Sequence, residues 1–344
     1  MVRSSQNGYN QHGSNLDSVK MFPAGLVGHS VSETRSVAWI HNESNKTAFV
    51  YDQAGDGYAL YADGKSDQLF DFSGVHSYAD RRLWEQLEKE LIELRETGAV
   101  TVNILDAGCG PGTWLRRLVV RAHELGFTTI NARGFDIARE QIRRARFLSK
   151  DLETLPGVHI KFESGDLTQV LPEQDSSIDI TLCLYSVLCH LSVAHLTKVV
   201  AEFARVTKGV VVTTVRPTRS LPTVFVDTVD KAVFFQNHPG SDRLDVALND
   251  GRHFTLDVHL FGAKEITALF SGDFIVTELV GLDLFHSRFA LDPRWTSEKA
   301  EKETMFLEHI GRLEDLFSAD PDFLEYATHL LLVGKKRPVS RRVV

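Results

Sequence analysis

Asp106 stands two residues ahead of the first of three alternating glycines, in Asp106-Ala107-Gly108-Cys109-Gly110-Pro111-Gly112. Glycines let a chain turn sharply and bring its backbone close to a ligand. Amides at the start of a following helix can then face a polar or anionic group. A dinucleotide site asks for G-x-G-x-x-G with a pyrophosphate on the helix dipole. Here the spacing is G-x-G-x-G, and the preceding carboxylate would repel a pyrophosphate. It suits a ligand carrying an amine and a sulfonium. Two more acids end apolar runs further on, Asp136 in ARGFD and Asp166 in ESGDL. Asp136 can accept hydrogen bonds from both hydroxyls of a ribose. Asp166 can accept from the exocyclic amine of adenine, with the backbone N–H of Leu167 set for a ring nitrogen. Ile137 and Leu167, each next to one of these acids, and Leu184 belong to the same expected cofactor set.

Other residues are candidates for the reacting end. Tyr185 and His190 lie in Tyr185-Ser186-Val187-Leu188-Cys189-His190, just past an apolar run. An imidazole has an ordinary pKa near neutrality, so His190 is a candidate general base; holding a loop by hydrogen bonds is its other reading. Tyr185 suits either pocket shape or chemistry. The stretch 48–78 carries Tyr51, Tyr58, Tyr61 and Tyr78 among small residues. Tyrosine offers an apolar face and a polar tip, which fits a lid over a flat ligand or packing on the surface. Tyr51 and Tyr61 are the cofactor candidates there. Arg81, in the first turn of a helix where a cation opposes the helix dipole, can face a cofactor carboxylate or a salt-bridge partner. The histidines show no H-x-x-x-H spacing, and no metal site is expected.

The elements that must position these residues alternate strand and helix. Strands are expected at 100–106, 128–136, 157–167, 177–184 and 209–215, with helices at 80–96, from 113 onward, 137–150 and 193–207. A last helix–strand unit covers 263–270 and 274–282. A helix at 298–317 then precedes a seventh strand at 326–335. Acids at the ends of three successive strands are where an open α/β sheet binds its ligand. Residues 216–259 exceed this plan. A helix is expected near 226–235, and Asn249-Asp250-Gly251 marks a hairpin between 244–248 and 253–258. This insertion follows the fifth strand and is the expected substrate cap, with Arg216, Arg219, His238, Arg243, Arg252, His253 and His259 as polar candidates. The domain plan is a mostly disordered tail at 1–46, a lid and helix at 47–98, the main domain at 99–337 and a loose end at 338–344.

The net charge of −8 and pI near 6.0 argue against broad binding to a phosphate backbone. Three cysteines without a CxxC pair point to a reduced, cytoplasmic setting. No apolar run approaches the roughly 20 residues of a membrane span, so no membrane partner is expected.

The D-x-G-x-G-x-G pattern at 106–112, with Asp136 and the Gly165-Asp166-Leu167 corner, resembles the class I S-adenosylmethionine (SAM)-dependent methyltransferases. The resemblance covers about 51–336. It implies an α/β, doubly wound, mostly parallel seven-stranded sheet of order 3-2-1-4-5-7-6 with the seventh strand antiparallel. It implies SAM as cofactor and a lid in which Tyr51-Asp52 and Tyr58 match a Y-D-x-x-x-x-x-Y segment. It also places 185–191 where the family's fourth motif faces methyl group and substrate. Amino-methylating nucleic-acid enzymes carry N/D-P-P-Y/F there; this chain reads LYSVLCHL, which weighs against DNA base amines. The expected activity is direct in-line transfer to an O, N or S atom of a small-molecule acceptor. The alternatives are a methyltransferase acting on RNA or protein, and an NAD(P)-dependent oxidoreductase. The tyrosine-bearing N-terminal stretch and the helix before the last strand also resemble bacterial carboxyl methyltransferases of a tRNA wobble uridine, against which the net charge weighs.

Overall fold

Seven strands form one sheet in the order β3-β2-β1-β4-β5-β10-β9. The computed structural model describes residues 46–52, 69–72, 77–220, 232–248, 251, 253–286 and 304–338. The strands are β1 (Thr101–Ala107), β2 (Thr129–Asp136), β3 (Val158–Ser164), β4 (Ile178–Cys183), β5 (Thr207–Val215), β9 (Phe274–Leu282) and β10 (His329–Lys336). β1 to β5 pair in parallel, and β10 runs antiparallel between β5 and β9. This is the expected order 3-2-1-4-5-7-6 with its last strand reversed.

Side chains of a strand alternate between faces, and the sheet builds two apolar layers from that rule. Leu105 and Ala107 of β1, with Val211 and Val215 of β5, join one layer. Val102 and Ile104, with Val210 and Val212, join the other. Helices α1 (Ser77–Glu96), α2 (Thr113–Glu124) and α3 (Arg139–Leu148) cover the second layer, and α4 (Val193–Val206) and α5 (Ala263–Ser271) the first. In α1, Leu83, Leu87 and Leu91 repeat every fourth residue and are wholly buried. Each such leucine contributes about 1.5–3 kcal/mol relative to exposure. α6 (Thr304–Phe317) precedes β10 and brings Glu314 against the turn after β9, where its carboxylate accepts the backbone N–H groups of Leu284, Phe285 and His286.

The insertion after β5 makes a separate antiparallel sheet, β6 (Ala232–His238), β7 (Arg243–Leu248) and β8 (His253–Asp257), in the order β6-β7-β8. Its Leu244, Val246, Phe254 and Leu256 pack into the same apolar layer as α4 and α5. β7 and β8 pair antiparallel, as the hairpin expected there requires, with Ala247 opposite His253; residues 249, 250 and 252 of the expected turn lie outside the described residues. The helix expected at 226–235 is corrected in part: 232–238 is a strand paired with β7, and 226–231 lies outside the described residues. The run AVFFQ is β-branched and aromatic, and β7 offers its backbone a partner that an isolated helix would lack.

Candidate cofactor and acceptor site

The carboxyl ends of β1, β2 and β3 open on a cavity. Its wall includes Gly108, Gly110, Asp136, Ile137, Asp166 and Leu167, together with Tyr51, Tyr185 and His190. Nine of the fourteen residues expected from the sequence thus meet at one place. The glycine turn is held down by its neighbours. Gly108 has φ 78°, and a Cβ there would come within 2.5 Å of the Val187 side chain. Gly112, at φ 79°, would place a Cβ 2.6 Å from Phe162. Gly112 is off the wall; its part is to let α2 start against β3.

Asp136 braces the floor. One carboxylate oxygen accepts the N–H of Gly110 at 2.8 Å and the other that of Ala138 at 2.8 Å. Asp166 accepts both the N–H and the hydroxyl of Thr168 on one oxygen. Asp106 is not on the wall: it sits beneath the turn, 2% exposed, and its Oδ2 has no hydrogen-bond partner among the described residues. Burial, then the nearby Asp136, pushes the Asp106 carboxyl up to about 8. Burial also raises Asp136. Two buried carboxyls side by side, with no Lys or Arg paired to either among the described residues, favour a cationic ligand and disfavour an anionic one.

The cavity is roofed by helical residues 46–52. Thr47 and Tyr51, four apart, face it, and Val50 is buried in the apolar layer. Asp52 accepts the N–H of Glu140 at 3.0 Å. α3 lacks a side-chain cap of its own, because Ala138 holds the N-cap position; Asp52 supplies a carboxylate there from another segment. Tyr51 meets His190 at 2.8 Å between Oη and Nε2, and His190 Nδ1 lies 3.1 Å from the carbonyl of Asp257 in β8. A carbonyl only accepts, so Nδ1 carries the proton and Nε2 accepts from the tyrosine hydroxyl. Burial lowers the His190 pKa to about 4 and raises that of Tyr51. His190 is therefore a neutral ring with both nitrogens engaged. Through these two contacts His190 links the roof at Tyr51 to β8.

Tyr185 and Ser186 take left-handed backbone, φ 53° and 70°, a conformation that costs non-glycine residues about 1 kcal/mol or more each. Thr214 of β5 holds them: its Oγ1 accepts the Tyr185 N–H at 2.6 Å and its carbonyl the Ser186 N–H at 3.1 Å. The Tyr185 hydroxyl donates to Asp80 in α1, and its ring stacks on Trp114 at 5.9 Å. The Arg117 guanidinium lies between Trp114 and Phe72, 4.5 and 4.6 Å from their rings. Rings and guanidinium thus run unbroken from residues 69–72 to the cavity.

The remaining expected residues fall elsewhere. Leu184 is buried in the apolar layer, off the wall. Arg81 is exposed on α1, its Nη1 3.5 Å from the Phe72 carbonyl, and does not reach the cavity. Tyr58 and Tyr61 lie outside the described residues. Tyr78 stacks on His286 at 5.9 Å, as packing. Sequence reasoning missed Thr47, Phe135, Gln141, Val187 and Leu191 on the wall. Gln141 left a trace, as a polar residue one turn before Ala145 on the buried face of α3. All three cysteines are free and buried. Among the described residues no helix is long and apolar enough to cross a membrane, and no cluster of His, Cys, Asp and Glu could hold a metal.

Fold and cavity together make an α/β domain whose glycine turn and three strand-end acids gather at one edge of the sheet. Residues 104–209 match a family model described as a methyltransferase domain. No curated protein matches it in sequence. Among solved structures it is similar to magnesium protoporphyrin IX methyltransferase from Synechocystis PCC 6803 with bound SAH, at 12% identity, 85% of this chain, 100% of that one and TM-score 0.47. It is similar to the [4+2]-cyclase SpnF at 15%, 86%, 96% and 0.49. A protein of Pyrococcus horikoshii OT3 gives 15%, 82%, 99% and 0.47. Likeness at this level carries no substrate or activity over to this chain.

Proposed function

We propose that the chain moves a methyl group from SAM to an O, N or S atom of a small-molecule acceptor by direct in-line transfer. The carrying observation is the pair of buried, pKa-raised carboxyls, Asp106 and Asp136, under a glycine turn that opens on the cavity. The cofactor is cationic at its amine and sulfonium, and a cation brought beside these carboxyls would draw them back toward the ionised form. Asp136 keeps unused lone pairs for ribose hydroxyls while bracing Gly110 and Ala138. Asp166 and the Leu167 N–H take the adenine edge, with Ile137 and Leu167 against its faces. Asp106 answers the amino group from below the turn. Tyr51 and Thr47 close the roof, as part of a lid over 47–98.

When bound, SAM supplies a methyl group already activated as a sulfonium, so positioning and exclusion of water can supply much of the rate. Tyr185, fixed by Thr214, Asp80 and Trp114, shapes the wall beside the acceptor. His190 holds Tyr51 and β8 together and takes no proton near neutrality. The acceptor then presents a nucleophile that needs no strong protein base, such as a neutral amine, a thiolate or a carboxylate. The sheet β6–β8 is the acceptor cap. Incubation with methyl-labelled SAM and fractionated cell extract tests the reading. Label is expected in the low-mass fraction; label confined to RNA or protein would contradict the small-molecule acceptor.

A further inference from the structure

The wall of the cavity changes character along the sheet. Asp136 ends β2 and Asp166 follows β3, and both carboxylates line it there. Past the end of β4 it is built instead from Tyr185, Val187, His190 and Leu191, with Tyr51 of the roof joined to them. The polar atoms of this second group are committed to protein partners. The Tyr185 hydroxyl donates to Asp80, and the Tyr185 N–H to Thr214 Oγ1. The Ser186 N–H goes to the Thr214 carbonyl. The Tyr51 hydroxyl donates to His190 Nε2, and Nδ1 of the same ring donates to the Asp257 carbonyl. Val187 and Leu191 are partly buried on the first apolar layer and bring only alkyl surface to the wall. No lysine or arginine is among the described residues of the wall. A charged group moved against such a surface gives up its water and finds the polar atoms there already engaged. An apolar group gains by the same move.

We propose that the methyl acceptor meets residues 185–191 through an uncharged, apolar part, a ring or an alkyl group, and that any charge it carries lies away from this wall. The proposal rests on the reading of the cavity as a SAM site, because that reading gives the β1–β3 ends to the cofactor and leaves the β4 side to the acceptor. The wall selects by desolvation: carboxylate, phosphate and ammonium groups are turned away from it, and a group that leaves water readily is taken in.

The test loads the full-length protein with S-adenosylhomocysteine, which covers the carboxylates, and titrates it with benzyl alcohol, benzoate or benzylammonium, three rings of one size that differ in charge. Line broadening of each probe in nuclear magnetic resonance reads its affinity. Benzyl alcohol should bind about tenfold or more tightly than either ion, the scale of an uncompensated desolvation. Leu191→Lys puts a cation on the wall and should reverse the order of benzyl alcohol and benzoate. Val187→Thr adds a hydroxyl at nearly the same volume and should weaken benzyl alcohol by about threefold; it carries the comparison if the lysine variant fails to fold. An ion that binds wild type as tightly as benzyl alcohol, no binding of any of the three rings, or affinities that neither variant moves would overturn the proposal while leaving the cofactor reading intact. Wild-type protein that binds no S-adenosylhomocysteine would overturn both.

Discussion

Asp136 serves two partners at once. Its carboxylate ties the glycine turn to the start of α3, and the same group faces the cavity. Asp136→Ala should lower S-adenosylhomocysteine affinity by about tenfold or more, since each charge-assisted bond is worth about 1.5–3 kcal/mol. Calorimetry checks this, with circular dichroism to show the fold retained; an unchanged dissociation constant would put the ribose elsewhere. His190 makes a second residue-scale claim. Its folded pKa of about 4 lies below the ordinary value near 6.5. Between those values the unfolded chain takes up a proton that the folded chain refuses, so this histidine makes stability fall as pH drops from about 6.5 to about 4. His190→Gln should flatten that part of the stability–pH curve in denaturant titrations. It should introduce no change in the shape of the pH–rate profile between about pH 6 and 8. A neutral-range inflection that vanishes in the variant would restore His190 as a base.

Among the elements, the cap sheet and α5 are joined by a charged clamp. His259 Nδ1 lies 2.9 Å from Asp242 and Nε2 2.8 Å from Glu265. Burial opposes protonation, but the two carboxylates outweigh it and raise the pKa. A raised folded pKa means the clamp's stabilisation is complete below the ordinary histidine value and fades as pH rises through the folded one. Hydrogen exchange in residues 243–257 should therefore quicken as pH is raised past that point, after correction for intrinsic rates. The effect should be absent in His259→Gln; an identical pH trend in both proteins would remove the clamp. The strands and helices of the main sheet were legible in the sequence where burial is periodic. Leu83, Leu87 and Leu91 mark α1, and the acids at 106, 136 and 166 mark strand ends. β6 was misread because AVFFQ has no periodicity of its own and takes its form from β7. The contacts Asp52–Glu140 and Tyr51–His190 join residues far apart in sequence, so no local pattern encodes them. The uncapped start of α3 at Ala138 was the one local hint that a cap comes from elsewhere.

At the scale of the molecule, the sheet divides labour between its ends. The strand-end acids gather at the ends of β1 to β3, and the sheet β6–β8 is inserted in sequence after β5. Replacing residues 245–253 by a short Gly-Ser turn should affect methyl transfer far more than S-adenosylhomocysteine affinity, because the carboxyls read as holding the cofactor lie at the ends of β1 to β3. Methyl transfer should fall or change acceptor; native turnover would place recognition outside the cap. The central claim is that the paired carboxyls under the glycine turn select a nucleoside bearing a protonated amine over one bearing a pyrophosphate. Calorimetric titration of the full-length protein with S-adenosylhomocysteine, SAM and NAD tests it most directly. We expect both sulfur nucleosides to bind and NAD to give no measurable heat of binding. NAD binding more tightly than S-adenosylhomocysteine would contradict the account.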